Sequence, residues 1–328
     1  ANAYSLATAE LIASTKLRAG RYTVIFFNDE LNTGYGYKHV SKQYFNDKSK
    51  VVYLDTGDKS YISVDSFNYT PNSISIPCEY VPVKCDSAVK IRITGIESGT
   101  VSAMIGSQPN PVNALSNVLT KLNNKSIIYQ LTDVSIESQG NMYPSGIEAT
   151  VLINSYNMGT LTSYLDERIK KFEKNYGGDF PDATFTYEVI DSPENFPAEA
   201  YSDKATSSLG MVLYTIKNGA YRFDKNNVIA DHEVDEVYAL NCIHDLKYED
   251  GKIKLSIGTA ALNDAFAKQI LTENATSAEF ADASSSVGEK QAGLKNIRSR
   301  LFKELQFAYV KVNEISSSNV IIKTNTDK

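Results

Sequence analysis

Six stretches settle the fold: AVKIRITGI (88–96), PVNALSNVLTKL (111–122), IIYQLTDVSIESQ (127–139), GIEATVLINS (146–155), TLTSYLDERIKKFEKNYG (160–177) and ATFTYEVID (183–191). The first, third, fourth and sixth are short, rich in β-branched residues and bounded by turn signals, which predicts strands. The second and fifth repeat apolar residues every three or four positions, which predicts helices. In the fifth, acidic residues come before the late lysines, the order that the helix dipole favours. The predicted sequence of elements is therefore β-α-β-β-α-β.

That order is the one of a ferredoxin-like sandwich, placed at about residues 87–190. Before it, YSLATAELIASTKL (4–17) predicts an amphipathic helix stopped by Gly20. YTVIFFN (22–28) and KVVYL (50–54) predict strands of a second α/β layer system, the latter ending at Asp55. Residues 63–85 alternate polar and apolar and hold three prolines, which predicts edge strands or a connection. After the sandwich, a helix at 202–217 starts on Ser202 as N-cap. Strands VYALNCIHDLKYE (237–249) and KIKLSIGTA (252–260) meet at the hairpin signal EDGK. A helix follows at 262–274, then a Ser/Ala-rich loop at 276–288 and a last helix at 290–312. The expected class is α/β: a partial three-layer domain from 1–83 and 286–328, with an inserted domain at 84–285.

Composition narrows the partners. The chain has 328 residues and a net charge of −6, which speaks against nucleic acid or an anionic membrane. No apolar run reaches the length of a membrane span. Cys78, Cys85 and Cys242 form no C-x-x-C motif, although Cys78 and Cys85 could close a short loop. Their odd number and scatter fit a reducing compartment, so a cytoplasmic location is expected. Three histidines, His39, His232 and His244, are few for a zinc site built on imidazole. Cys242 and His244 share one face of an alternating strand. His232 stands among Asp231, Glu233 and Asp235, but adjacent residues seldom point at one centre.

Several short segments resemble the M20 family of metallopeptidases, in its branch of cytosolic Xaa-His and nonspecific dipeptidases. FFNDELNTGYG (26–36) resembles the family's D-E-E-x-G loop, and VVYLD (51–55) its strand ending in Asp. ANAYSLATAE (1–10) resembles D-N-G-x-G-x-A-x-A. Asn113 and Ala114 resemble the Asn-Ala pair of the family's lid helix, and NMYP (141–144) its N-A-I-P strand. LYTIKNGAYRF (213–223) and LKYEDGKIKLSI (246–257) resemble later lid segments. The matches run along nearly the whole chain.

The resemblance implies a two-zinc centre bridged by an Asp and a water, with a Glu as general base. Zinc would lower the pKa of that water and polarise the peptide carbonyl. Carried over by position, Glu30 is the general base, Asp55 a terminal metal ligand, and Asn113 and Asn141 substrate-binding residues of the lid. Other positions depart from the pattern. Leu31 stands where a second metal-binding Glu is expected, and Ala1 where the bridging Asp is expected. The family's H-x-D motif would lie before Ala1. SGTVSAMIG (98–106) holds no His where the lid has G-H-S-G, SIGTAALND (256–264) holds no Arg for a substrate carboxylate, and no His follows His244.

Three readings follow. The first is a dipeptidase-like protein that has lost most metal ligands, needs no cofactor and binds a protein partner, or a second copy of itself through the lid. The second is a zinc-dependent dipeptidase seen as a fragment. The third is an unrelated α/β interaction protein whose exposed strand edges take up a partner strand.

Overall fold

The computed structural model describes residues 10, 23–25, 39–46, 49, 61–96, 108–138, 143–191, 194–229, 234–293, 300–313 and 321–325. The chain divides into two compact units, 1–65 with 295–325 and 66–294 with 326–328. In chain order the first strands are β1 (Tyr61–Ser66), β2 (Asn68–Pro77), β3 (Tyr80–Pro82) and β4 (Ser87–Thr94). Helix α1 (Pro111–Asn124), β5 (Tyr129–Glu137), β6 (Gly146–Ile153), α2 (Met158–Tyr176) and β7 (Thr184–Ile190) follow. Then come β8 (Glu199–Tyr201), α3 (Asp203–Thr215), β9 (Gly219–Arg222), β10 (Val237–Glu249) and β11 (Lys252–Ala261). The last are α4 (Asp264–Phe280), β12 (Ser284–Val287), α5 (Arg300–Asn313) and β13 (Ile321–Asn325).

In the first unit, β1 pairs with β13, and a 3-10 turn at Lys42–Tyr44 and α5 are further described elements. The expected helix at 4–17 lies outside the described residues except for Glu10, which is helical, and the expected strand at 50–54 lies wholly outside them. Of the strand expected at 22–28, only 23–25 are described, and they pair with no other strand.

The second unit is built on one sheet in the order β12-β2-β11-β10-β5-β6-β4-β7, with β9 added against β10. The half β5-β6-β4-β7 is the predicted sandwich. β4 lies between β6 and β7, antiparallel to both, with Val89 opposite Val151 on one side and Val189 on the other. Its residues Val89, Ile91 and Ile93 are fully buried, as strict alternation requires. Burying such side chains contributes about 1.5–3 kcal/mol each. Helix α1 starts with Pro111 and is capped by the Asn110 carboxamide oxygen, which accepts from the Asn113 N–H at 3.0 Å. It buries Val112, Leu115, Val118, Leu119 and Leu122, one face at helical spacing.

The other half was not apparent from the chain order. β2, α3, β10, β11, α4 and β12 form a second β-α-β-β-α-β unit with the strand order β12-β2-β11-β10. The predicted sandwich, β4 to β7, is inserted between the opening strand β2 and the first helix α3 of this second copy. The two halves meet where β10 pairs antiparallel with β5, Leu246 opposite Ile136, so the strand order is palindromic about that pair. The short ladder of β3 with β8 ties together the points where the chain leaves the second unit and returns to it. The hairpin between β10 and β11 turns at Asp250 and Gly251, both at positive φ, the conformation that Asp-Gly favours. Ser202 caps α3 as expected, accepting from the Ala205 N–H.

Three local expectations are corrected. Residues 68–77 are an interior strand, flanked by β11 and β12; Pro71 and Pro77 lie outside the four-residue ladder with β12, so neither removes a bond from it. Residues 276–288 are not a loop: α4 runs to Phe280 by burying the small residues Ser277 and Ala278, and Ser284–Val287 pair with β2. Residues 290–293 are not helical, and Gln291 is bridged to Tyr69. Cys78 and Cys85 are both free thiols.

Candidate functional site

Glu30, Asp55 and Asn141 lie outside the described residues, as do Ala1, Leu31 and His232. The donors of the implied zinc centre therefore have no described geometry. Among the described residues no group of three or more His, Cys, Asp or Glu is placed to hold a metal ion.

Asn113 is described, in the first turn of α1. It donates from Nδ2 to the Asn218 carbonyl at 3.1 Å and accepts at Oδ1 from Asn218 Nδ2 at 3.3 Å. Asn218 is itself buried, and its Oδ1 accepts from the Ile243 N–H at 2.8 Å. This reciprocal pair joins a helix of the first β-α-β-β-α-β unit to the turn after α3 of the second. Asn110, one turn earlier, donates to Cys242 Sγ at 3.4 Å.

These asparagines border a cavity of about 380 Å³ between α1, the C-terminal half of α2, and β9. Its apolar wall is Phe172, Tyr176 and Phe185, with the Phe172 and Phe185 rings edge to face at 5.9 Å. Tyr143 closes the inner end and donates to the Pro109 carbonyl at 3.1 Å. Burial pushes its hydroxyl far above the usual tyrosine range, so it stays a donor. Among the described residues the charged lining is Arg168, Lys171 and Arg222, without an Asp or Glu. Arg222 donates to the Asp235 carbonyl at 2.8 Å.

The nucleophile-type groups nearby are withdrawn from chemistry. Cys242 is fully buried, and burial pushes its thiol up to about 12, so no thiolate forms near neutral pH. Burial lowers His244 to about 4, against the pull of Asp245. The two were expected to share a face of β10, but a bulge between Ile243 and Asp245 breaks the alternation. The cavity brings together residues more than 100 positions apart, which periodicity cannot show. One signal was present: Asn110, Asn113 and Asn117 follow helical spacing, a polar edge on an otherwise apolar helix.

No family model matches the chain, and no curated protein matches it in sequence. Among solved structures, the fold is similar to that of the aminoacylhistidine dipeptidase from Vibrio alginolyticus, with a TM-score of 0.68 and 13% identity. The match covers 83% of this chain and 54% of that one, so the chain spans about half the length of the enzyme it matches. At that identity the likeness is one of fold: a mixed α/β, M20-like architecture with a large antiparallel sheet.

Proposed function

We propose that this chain is an M20 dipeptidase-like protein that works by binding, as a non-catalytic component of a larger assembly. The observation that carries the reading is Leu31. An aliphatic side chain directly after Glu30 has no lone pair to offer a metal, and Ala1 has none either. Without a bound, acidified water, Glu30 has no proton to move in the family's manner. The dipeptidase-like fold supports the ancestry, and the continuous sheet supports a binding role. Its terminal strands β7 and β12 each have one neighbour among the described residues, and β12 is exposed throughout, so either could take up a strand of a protein partner or of a second copy. The reading places the protein in the cytoplasm, where its free thiols would persist. Among the described residues no helix is long and apolar enough to cross a membrane.

Zinc analysis of the purified chain, together with assays on a panel of Xaa-His and other dipeptides, tests the proposal. The expected result is no stoichiometric zinc and no hydrolysis. Two tightly held zinc ions with turnover would overturn it. That outcome would favour the second reading, a zinc-dependent dipeptidase, for which the 54% coverage of the matched enzyme leaves room for further ligands.

A further inference from the structure

The cavity between α1, α2 and β9 has one sign of charge in a chain whose net charge is −6. Arg168 and Lys171 stand one turn apart on α2, so their side chains are neighbours on its surface. Neither makes an ion pair or a hydrogen bond with any described residue, whereas eight ion pairs of the unit neutralise other lysines and arginines. Lys171 is exposed at the mouth. Arg168 Nε is shut off from solvent and has no hydrogen-bond partner. A buried donor without an acceptor is destabilising, and more so when it carries charge. Folded proteins hold few of them, and a ligand that supplies the missing acceptor is one explanation.

The rest of the lining suits an oxyanion. The side chains of Asn117 and Asn175 make no hydrogen bond with the described residues, and their carboxamides offer neutral donors beside the cations. Asn113 differs, being committed to Asn218. A guanidinium presents its N–H groups as a planar fork that matches two oxygens of a carboxylate or phosphate, and an adjacent ammonium adds a second charge. The volume of about 380 Å³ suits a small molecule, and Phe172 and Phe185 can take its apolar part.

The geometry points to a binding site for a small dianion, bearing carboxylate or phosphate oxygens, held by Arg168 and Lys171 with Asn117 and Asn175 at the rim. This goes beyond the assembly role proposed above and holds with or without an active metal centre. The test is calorimetric titration of the full chain, dialysed against EDTA into chloride buffer, with succinate and separately with inorganic phosphate. We expect saturable binding of at least one probe, weakened about tenfold or more by Arg168→Gln and less by Lys171→Gln. Binding of succinate alone identifies a carboxylate ligand, and binding of phosphate alone a phosphoryl ligand. The inference is overturned if neither probe binds at about 10 mM, or if binding survives Arg168→Gln unchanged. Arg168→Lys keeps the charge and loses the fork, and weakens binding in the same direction should Arg168→Gln fail to fold.

Discussion

Replacing Asn241 by Leu probes what holds the second β-α-β-β-α-β unit together. Asn241 is fully buried on β10. It donates from Nδ2 to the Lys217 carbonyl at 3.2 Å and to Asn274 Oδ1 at 3.1 Å. Its Oδ1 accepts from Thr259 Oγ1 at 2.7 Å and from Asn274 Nδ2 at 3.1 Å. Asn274 donates in turn to Asn72 Oδ1 at 3.0 Å, and Asn72 donates to Thr259 Oγ1 at 2.9 Å. The four side chains thus close a ring that ties β10, α4, β2 and β11. Leucine is nearly the same size but leaves the buried Thr259 hydroxyl and the buried Asn274 carboxamide each short of a partner, whereas Lys217 is an exposed residue whose carbonyl can turn to water. Each buried orphan costs about 1–3 kcal/mol, and burying the new aliphatic side chain returns about 2 kcal/mol. The net expectation is a loss of about 2 kcal/mol in urea unfolding with the m-value unchanged. Asn241→Leu combined with Asn274→Leu removes both halves of the reciprocal pair. It should cost about 1–2 kcal/mol less than the sum of the single changes. A single-variant loss below about 0.5 kcal/mol, or strict additivity, would refute the ring as a stabilising unit.

Two further outcomes follow from local chemistry. His244 has a folded pKa of about 4, lowered chiefly by burial, with Asp245 opposing and Lys247 reinforcing the shift, from a starting value of 6.5. Between those values the unfolded chain binds more protons, so His244 contributes its full stability above pH 6.5 and loses it as the pH falls towards 4. That amounts to about 2 kcal/mol between pH 7 and pH 5; His244→Gln should flatten this limb of the unfolding midpoint against pH, and an unchanged slope would contradict the assignment. Gly95 adopts φ +74°, and a Cβ there would lie within bonding distance of the Asp182 carbonyl oxygen; Gly95→Ala should cost about 2 kcal/mol or more, and a variant as stable as the parent in thermal melting would show that the 94–96 turn relaxes freely.

The first β-α-β-β-α-β unit was legible because its six elements are contiguous and each announces itself locally. Val89, Ile91 and Ile93 alternate, and α1 repeats its apolar face; in the second unit, Asp250-Gly251 marks the β10–β11 hairpin in the same local way. Helix caps at Ser202 and Asn110 belong to the same class of signal, since a cap is decided within four residues. Small-residue segments were misread for a related reason. Ser277, Ala278 and Ser284–Val287 have little hydrophobic periodicity, and their burial or pairing depends on the surfaces they meet.

The resemblance to a dipeptidase came from single residues in short segments, and the likeness of fold agrees with it. The carboxamide cavity and the ring of Asn72, Asn241, Asn274 and Thr259 had no such signal, because asparagine reads locally as a turn or surface residue. The amino-acid sequence by itself determined most of the local elements and their order, and the residue types, among them Leu31 beside Glu30, on which the proposed binding role rests. Only the tertiary structure decided that β2, more than 100 residues before α3, opens a second copy of the same motif. Hydrophobic period is written into neighbouring residues, whereas strand pairing is chosen by the whole chain among competing long-range partners. That choice rests on packing and closed hydrogen-bond networks that no local window contains.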